Sequence, residues 1–377
     1  MSEGVRKYDK DMDHKSITRD GMDWYSADTP GFHLDGLHWR KTGDPFRRIP
    51  LDAHVTEAVD YLSWHTAGCM LRFKSDAAEI RVHVRYEKVD RWDHMPCTAY
   101  MGVDLYTGSG TSKFYHKTAR FNWQENEYTS VIFGPGMERK MREFTIHFPL
   151  YAHPEEFEIG LTCGSVIAEP EPWIDPRPIV VYGTSIQQGG CASRPGMCHT
   201  NIMSRMLDRP FINLSFSGSA NGEKEMAETI AGIKDPAMFI LDYDANAMLD
   251  GLRATLPDFI DILRAKHPEV PILLISGLPR REQFGDENEF PIILDKDRES
   301  ETDKGYPADR FNLTQTHLNE LKRRREAGDK NIHFIDGATL LGDEPLEALV
   351  DGLHATDLGF YLIAKRTAPV IERILSL

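Results

Sequence analysis

Ser185 lies in the run Gly183-Thr184-Ser185-Ile186-Gln187-Gln188-Gly189-Gly190, just after the apolar stretch Ile179 to Tyr182. A serine on a strand-to-helix turn presents its oxygen to solvent, while its own backbone N–H and those nearby point at a developing oxyanion. Near the other end of the chain, Asp351-Gly352-Leu353-His354 puts a carboxylate and an imidazole three residues apart on one loop. Such a pair can serve a serine: the imidazole takes the hydroxyl proton, and the carboxylate fixes its tautomer and orientation. Two further segments offer donors. Phe216-Ser217-Gly218-Ser219 exposes the N–H of Gly218, and Asp242-Tyr243-Asp244-Ala245-Asn246 exposes the side-chain amide of Asn246. The chemistry these residues suit is acyl transfer through a serine ester, with the oxyanion held by the N–H groups of Ser185 and Gly218 and by Asn246. Simpler roles exist: Gly218 as a turn glycine, Asn246 as a helix N-cap and Asp244 as a loop-capping carboxylate, the last being the favoured reading of Asp244. Gln187 occupies the second glycine position of a G-x-S-x-G elbow, which argues against an ordinary α/β-hydrolase.

The elements that must position these residues follow from periodicity. From Ile179 onward, short apolar runs (Ile179 to Tyr182, Phe211 to Leu214, Met238 to Leu241, Ile272 to Ile275, Ile332 to Ile335) read as buried strands. They alternate with helical patterns near 197–207, 222–233, 252–266, 311–327 and 357–375. Alternation of this kind implies a parallel sheet covered on both faces, with ligands at the carboxyl ends of the strands, where the four chemical segments fall. Before residue 165 the period is two: Ile80, Val82, Val84 and Tyr86 alternate with polar residues, as do Phe144 to Leu150 and Phe157 to Leu161. With Gly and Pro punctuation between the runs, this predicts an antiparallel β-sandwich. The organisation expected is a β-sandwich over 1–168, a proline-rich linker over 169–178 that cannot continue a helix or a central strand, and an α/β domain over 179–377, either half being long enough that it could bury its own core. Arg280 to Arg310 breaks the rhythm with many charges and the apolar patch Phe290 to Leu294. It reads either as a lid or as a solvated insertion.

Bulk properties narrow the function. The chain has 377 residues, 41% hydrophobic and 27% charged, and a formal charge of -15. That balance fits a soluble globular protein and excludes a non-specific nucleic-acid binder, which needs a basic surface. The start lacks a signal-peptide pattern and no stretch has membrane-spanning length, so a cytoplasmic protein with no membrane partner is expected. Five cysteines without CxxC spacing suggest reduced thiols. Scattered histidines, His94 among them, lack metal-ligand spacing, so no metal is assigned. Glu79, Glu87 and Asp104 as a glycosidase pair are set aside, because carboxylates on strands mostly face solvent; Asp104 is expected to satisfy backbone donors at a turn. Trp92 and Trp123 could stack on a sugar, the simpler reading being half-buried sandwich aromatics.

Ser, Gly, Asn and His in this order on loops after successive strands, with Asp three residues before the His, resemble the SGNH/GDSL hydrolase family. GTSIQQGG, FSGSANGE, DYDANA and DGLHATDLGF resemble a subgroup whose N-terminal domain carries a Gly-x-Asp-Leu-Tyr motif, here Gly102-Val103-Asp104-Leu105-Tyr106. The resemblance implies a flavodoxin-like three-layer α/β/α domain preceded by a jelly-roll-like sandwich, no cofactor, and ester hydrolysis through an acyl-enzyme. It further implies a short acyl group, such as acetyl on a carbohydrate, so the partner is a small-molecule or oligosaccharide ester; a homo-oligomer is left open. An inactive carbohydrate-binding relic and an acyltransferase using the same triad are the alternatives. The sequence departs from the family at Thr184, where Asp is usual, and at Ala245, where a Gly before Asn246 is missing.

Overall fold

The computed structural model describes residues 17–279, 307–342 and 345–376. The proposed lid over Arg280 to Arg310 falls almost wholly outside them. Eleven strands build the N-terminal part: β1 (Ile17–Arg19), β2 (Met22–Ser26), β3 (His33–Asp35), β4 (Met70–Ser75), β5 (Ile80–Val89), β6 (Asp104–Thr107), β7 (Phe114–Thr118), β8 (Glu127–Phe133), β9 (Arg142–His147), β10 (Ala152–Thr162) and β11 (Ile167–Ala168). They form two antiparallel sheets, ordered β1-β2-β10-β5-β8 and β11-β4-β9-β6-β7, with β3 on β4. Period-two burial explains the packing: Ile80, Val82, Val84 and Tyr86 of β5, with Ile159 of the neighbouring β10, share one apolar cluster with Phe73, Phe144 and Ile146 of the other sheet. Two short helices, α1 (Glu57–Ser63) and α2 (Cys97–Tyr100), interrupt the strands.

The C-terminal part is a parallel sheet of β12 (Ile179–Gly183), β13 (Phe211–Asn213), β14 (Met238–Asp242), β15 (Ile272–Ile275) and β16 (Ile332–Ile335), in the order β13-β12-β14-β15-β16. Counted within this part the order is 2-1-3-4-5, the flavodoxin-like doubly wound arrangement. Its helices are α3 (Ser185–Gln188), α4 (His199–Leu207), α5 (Lys224–Ala231), α6 (Asp244–Lys266), α7 (Pro307–Glu326) and α8 (Asp357–Leu375). Side chains alternate across the sheet. Ile179, Val181, Ile240 and Leu273 meet Ile202 of α4 and Phe360 and Ile363 of α8 on one face. Val180, Tyr182, Phe239 and Leu241 meet Met226 of α5, Leu256 and Phe259 of α6 and Leu313 of α7 on the other. In α8 the buried Phe360, Ile363, Ala364, Thr367, Ala368 and Ile371 repeat at helical spacing, and the Thr356 hydroxyl accepts the N–H of Gly359 as N-cap.

Two expectations change. The apolar cluster of the sandwich continues without a break into the α4/α8 face of the parallel sheet, and Ile49, Val59 and Leu62 from the N-terminal part join the other face. The halves therefore share their cores instead of burying them separately. The proline-rich stretch is likewise pinned: the Trp173 indole donates to Asp35 at 3.3 Å, with the Arg72 guanidinium 3.8 Å over its ring. Secondly, the helix expected near 252–266 opens at Asp244 and is broken at Met248, whose φ of 56° and ψ of -179° are not helical. Asn246 thus lies in the first turn of a helix, within the span that was read as loop.

Candidate active site

The turn that carries Ser185 is shaped by a very tight strand-to-helix junction. A Cβ on Gly183 would meet the Asp242 carbonyl and the Gln187 side chain at 2.8 Å, so only glycine lets β12 run this close to β14. Thr184 is the N-cap of α3: its hydroxyl accepts the N–H of Ile186 at 3.3 Å and donates to Gln187 Oε1, which also accepts the Thr184 N–H at 2.8 Å. Asp and Thr are both N-cap formers, which accounts physically for threonine where the family motif has aspartate. The amide of Gln187 donates to Asp242, whose carboxyl is pushed well up by burial and by Asp244. Ser185 is the first residue of α3, so its N–H has no partner within the helix.

Across from this turn, Ser185 Oγ lies 2.9 Å from His354 Nε2, and His354 Nδ1 lies 2.7 Å from Asp351 Oδ2. The Asp351-to-His354 segment is a tight turn. Gly352 has φ +83°, and Asp351 Oδ1 accepts the N–H groups of Leu353 at 3.0 Å and His354 at 2.7 Å. A bridge between Leu349 and Ala355 closes its base. Burial works against the Asp351 charge, but the hydrogen bonds from the His354 ring and backbone outweigh it and hold the carboxyl below its usual range. An ionised Asp351 fixes the proton on Nδ1 and leaves Nε2 as the acceptor facing Ser185.

The loop after β13 is fastened to the Ser185 turn from both sides. The Phe216 N–H donates to the Gly183 carbonyl at 2.9 Å, and the Ser217 N–H to Gln188 Oε1 at 2.9 Å. Gly218 follows with φ +67° and open space around its Cα; its N–H has no acceptor among the described residues. One hydrogen of the Asn246 amide goes to the Phe216 carbonyl at 3.3 Å, and the amide has a second to give. Asp244 is buried and accepts the N–H of Gly277, beyond β15, at 2.9 Å, with His317 at 3.2 Å, a loop-fastening position. The structure therefore brings Ser185, His354 and Asp351 together and sets the Gly218 loop and Asn246 against the same turn.

Sequence reasoning missed the residues that brace this turn from the sandwich side. Arg48 is fully buried and, among the described residues, without a carboxylate partner. It donates to four carbonyls: Leu62 and His65 at and just beyond the end of α1, Asn213 at 2.8 Å at the end of β13, and Ser215 at 2.9 Å in the loop that leads to Gly218. Burial lowers it to about 10, so it stays charged at neutral pH. The Tyr151 hydroxyl donates to the Ser185 carbonyl at 3.2 Å, and Gln188 Nε2 lies 3.3 Å from the Leu150 carbonyl and 3.4 Å from His65 Nδ1. Burial and then the Arg48 charge push His65 down to about 3, keeping it neutral. Asp104 sits in β6, not at a turn, and is fully buried; it accepts from Arg194 at 2.7 Å and from the Gly196 N–H at 2.9 Å, with His147 at 2.9 Å. Despite burial its carboxyl is held below the usual range by His147 and Arg194. Through it the Gly-x-Asp-Leu-Tyr strand grips the loop that follows α3. Gly102 belongs to the same grip, because a Cβ there would strike the Thr98 carbonyl at 2.2 Å, and Thr98 holds the Ser193 carbonyl at 2.6 Å.

Trp92 and Trp123 are exposed rather than half-buried, at 42% and 47%, and Trp92 stands edge-on to His94. Glu79 and Glu87 pair with Arg81 and His153, away from Ser185. Among the described residues all five cysteines are free thiols, and no helix is long and apolar enough to cross a membrane.

Comparison with known proteins gives two family matches. Residues 176–372 match the GDSL-like lipase/acylhydrolase family, and residues 22–167 match the N-terminus of SGNH-hydrolase-type esterases. No curated protein sequence matches the chain. A putative GDSL-like lipase from Bacteroides ovatus is 27% identical with a TM-score of 0.82, the match covering 94% of this chain and 98% of that one. A salicylyl-acyltransferase from a tetracycline biosynthetic pathway is 18% identical (TM-score 0.70, 93% and 96% covered). An acetyl xylan esterase from the rumen bacterium Butyrivibrio proteoclasticus is 11% identical (TM-score 0.58, 94% and 99% covered). The last two share the fold, a β-sandwich joined to an SGNH α/β domain. By the extent of the first family match, which spans more than half of its length, the chain belongs to the GDSL-like lipase/acylhydrolase family and is a carboxylic ester hydrolase.

Proposed function

We propose that this enzyme removes short acyl groups, acetyl above all, from a carbohydrate ester through an acyl-enzyme on Ser185. The observation that carries the reading is the unbroken chain from Ser185 Oγ through His354 to Asp351, at 2.9 and 2.7 Å. His354 Nε2 takes the hydroxyl proton as Oγ attacks the ester carbonyl, and Asp351 stabilises the imidazolium that forms. The oxyanion rests on the N–H groups of Ser185 and Gly218 and on the second hydrogen of the Asn246 amide. His354 then gives its proton to the leaving alcohol. In the second half-reaction it takes one from the water that attacks the acyl carbonyl and returns it to Ser185 Oγ as the acid leaves. The acetyl xylan esterase of the same two-part fold supports the carbohydrate ester, and the exposed Trp92 beside His94 offers an aromatic face near the serine.

The test is acetate release across a panel of acetylated oligosaccharides, set against p-nitrophenyl esters of increasing chain length. Preference for particular acetylated sugars, with activity falling as the acyl chain lengthens, is the expected result. A flat sugar profile, or a rise with chain length, contradicts it. Transfer to an alcohol is the second reading, because the salicylyl-acyltransferase shares the architecture over 93% of this chain. Acylated product formed on adding acceptor sugars would identify it.

A further inference from the structure

Four potential metal ligands from three separate segments converge at the edge of the catalytic triad. His94 comes from the sandwich loop after β5, Cys191 from the turn after α3, and Asp351 and His354 from the turn before α8; one ligand atom of each lies within 4.8 Å of all the others. Spacing rules could not find the set, since only Asp351 and His354 are near in sequence. Two imidazoles, a thiol and a carboxylate form a donor set of the zinc type. A tetrahedral zinc holds its ligands roughly 3.5 Å apart, so the widest pair must close by roughly 1.3 Å. Side-chain rotation can supply that, because the His94 and Asp351 side chains are 34% and 35% exposed, which also opens a path for an ion.

Two further features belong to the cluster. Cys191 is not glycine yet has φ +72°, a left-handed conformation that costs about 1 kcal/mol or more and that here accompanies a thiol standing beside the triad. Asp93 lies 3.2 Å from His94 Nδ1, the carboxylate–histidine pairing that orients metal-binding imidazoles and raises their basicity.

We propose that His94, Cys191, Asp351 and His354 form an inhibitory site for a thiophilic divalent cation of the zinc class, which switches the esterase off by capturing its base. Four protein ligands leave no open coordination position for an activated water, so the bound ion blocks the enzyme instead of assisting it. Whichever His354 nitrogen the ion takes, catalysis stops: binding at Nε2 removes the acceptor facing Ser185, and binding at Nδ1 replaces the Asp351 hydrogen bond. To bind such an ion the Cys191 thiol must give up its proton. Binding breaks the S–H bond, forms the metal–thiolate bond and releases that proton to solvent.

The inhibitory effect rests on the proposed roles of Ser185 and His354, whereas ion binding does not, and the experiment separates them. The full-length protein is titrated with cobalt(II) chloride for absorption and with zinc chloride for esterase activity, alongside Cys191→Ser and His94→Gln. Expected are one ion per chain and a thiolate-to-cobalt charge-transfer band that Cys191→Ser abolishes. Zinc should inhibit reversibly to EDTA, and its half-inhibitory concentration should rise at least about 10-fold in either variant. No charge-transfer band, or zinc inhibition unchanged in both variants, overturns the proposal. A normal band in a protein without esterase activity leaves the ion site standing and defeats the functional reading instead.

Discussion

The two sides of the active site are held by different means. The base side, Asp351 to His354, is a self-contained turn: one aspartate accepts the imidazole and two backbone N–H groups, and Gly352 supplies the left-handed residue that lets them meet. The nucleophile side depends on chain far away in sequence. Arg48 holds the Gly218 loop, Tyr151 the Ser185 carbonyl, and Asp104 the loop after α3. The β-sandwich is thus structural support for the Ser185 turn and the loop leading to Gly218, not an appendage. A residue on the base side should affect chemistry with little effect on stability, and a brace on the nucleophile side should affect both.

The sharpest break is Asp351→Asn. The amide keeps an oxygen for the backbone of the turn but stabilises the wrong imidazole tautomer, so kcat should fall about 10^4-fold while the melting temperature hardly moves. Steady-state kinetics beside a thermal melt checks both halves; a large loss of stability would show that the turn is not self-contained.

Asp104→Asn should lower unfolding free energy by about 3–5 kcal/mol in urea titration, because Arg194 and His147 lose a buried charged partner. The pH sign follows from its lowered carboxyl. Asp104 contributes stability fully present above about pH 4 and lost as pH falls through its folded-state pKa, so the variant should show a flatter acid limb. Arg48→Met leaves four carbonyls short of a donor and should cost on the order of 3 kcal/mol, with a parallel loss of kcat as the Gly218 loop loosens. Stability lost with kcat intact would confine Arg48 to packing. Smallest is Asn246→Ala, expected to lower kcat about 100-fold with KM little changed, as for loss of one oxyanion donor.

The same contrast governs how much was legible beforehand. Local patterns revealed the parallel sheet, the antiparallel sandwich, the nucleophile turn and the Asp351 to His354 turn, because each is encoded in a few adjacent residues whose periodicity or turn chemistry is readable. Arg48 was invisible: an arginine between Arg47 and Ile49 looks like any surface charge until the fold surrounds it with carbonyls. The shared core was hidden for a similar reason. Period-two and helical stripes tell which face is buried, not against which partner. Cys191 and His94 escaped because metal-ligand rules search along the chain and these donors meet across it. The start of α6 at Asp244 was missed since Asn246 and its neighbours carry no apolar stripe, and the break at Met248 separates them from the amphipathic part.

The central claim, that Ser185 carries the acyl group, is tested most directly by reacting the full-length protein with a fluorophosphonate and locating the adduct by peptide mass spectrometry. The account predicts one adduct per chain, on Ser185, none in Ser185→Ala, and loss of esterase activity in step with labelling. An adduct on another residue, or esterase activity that survives complete labelling of Ser185, would contradict it.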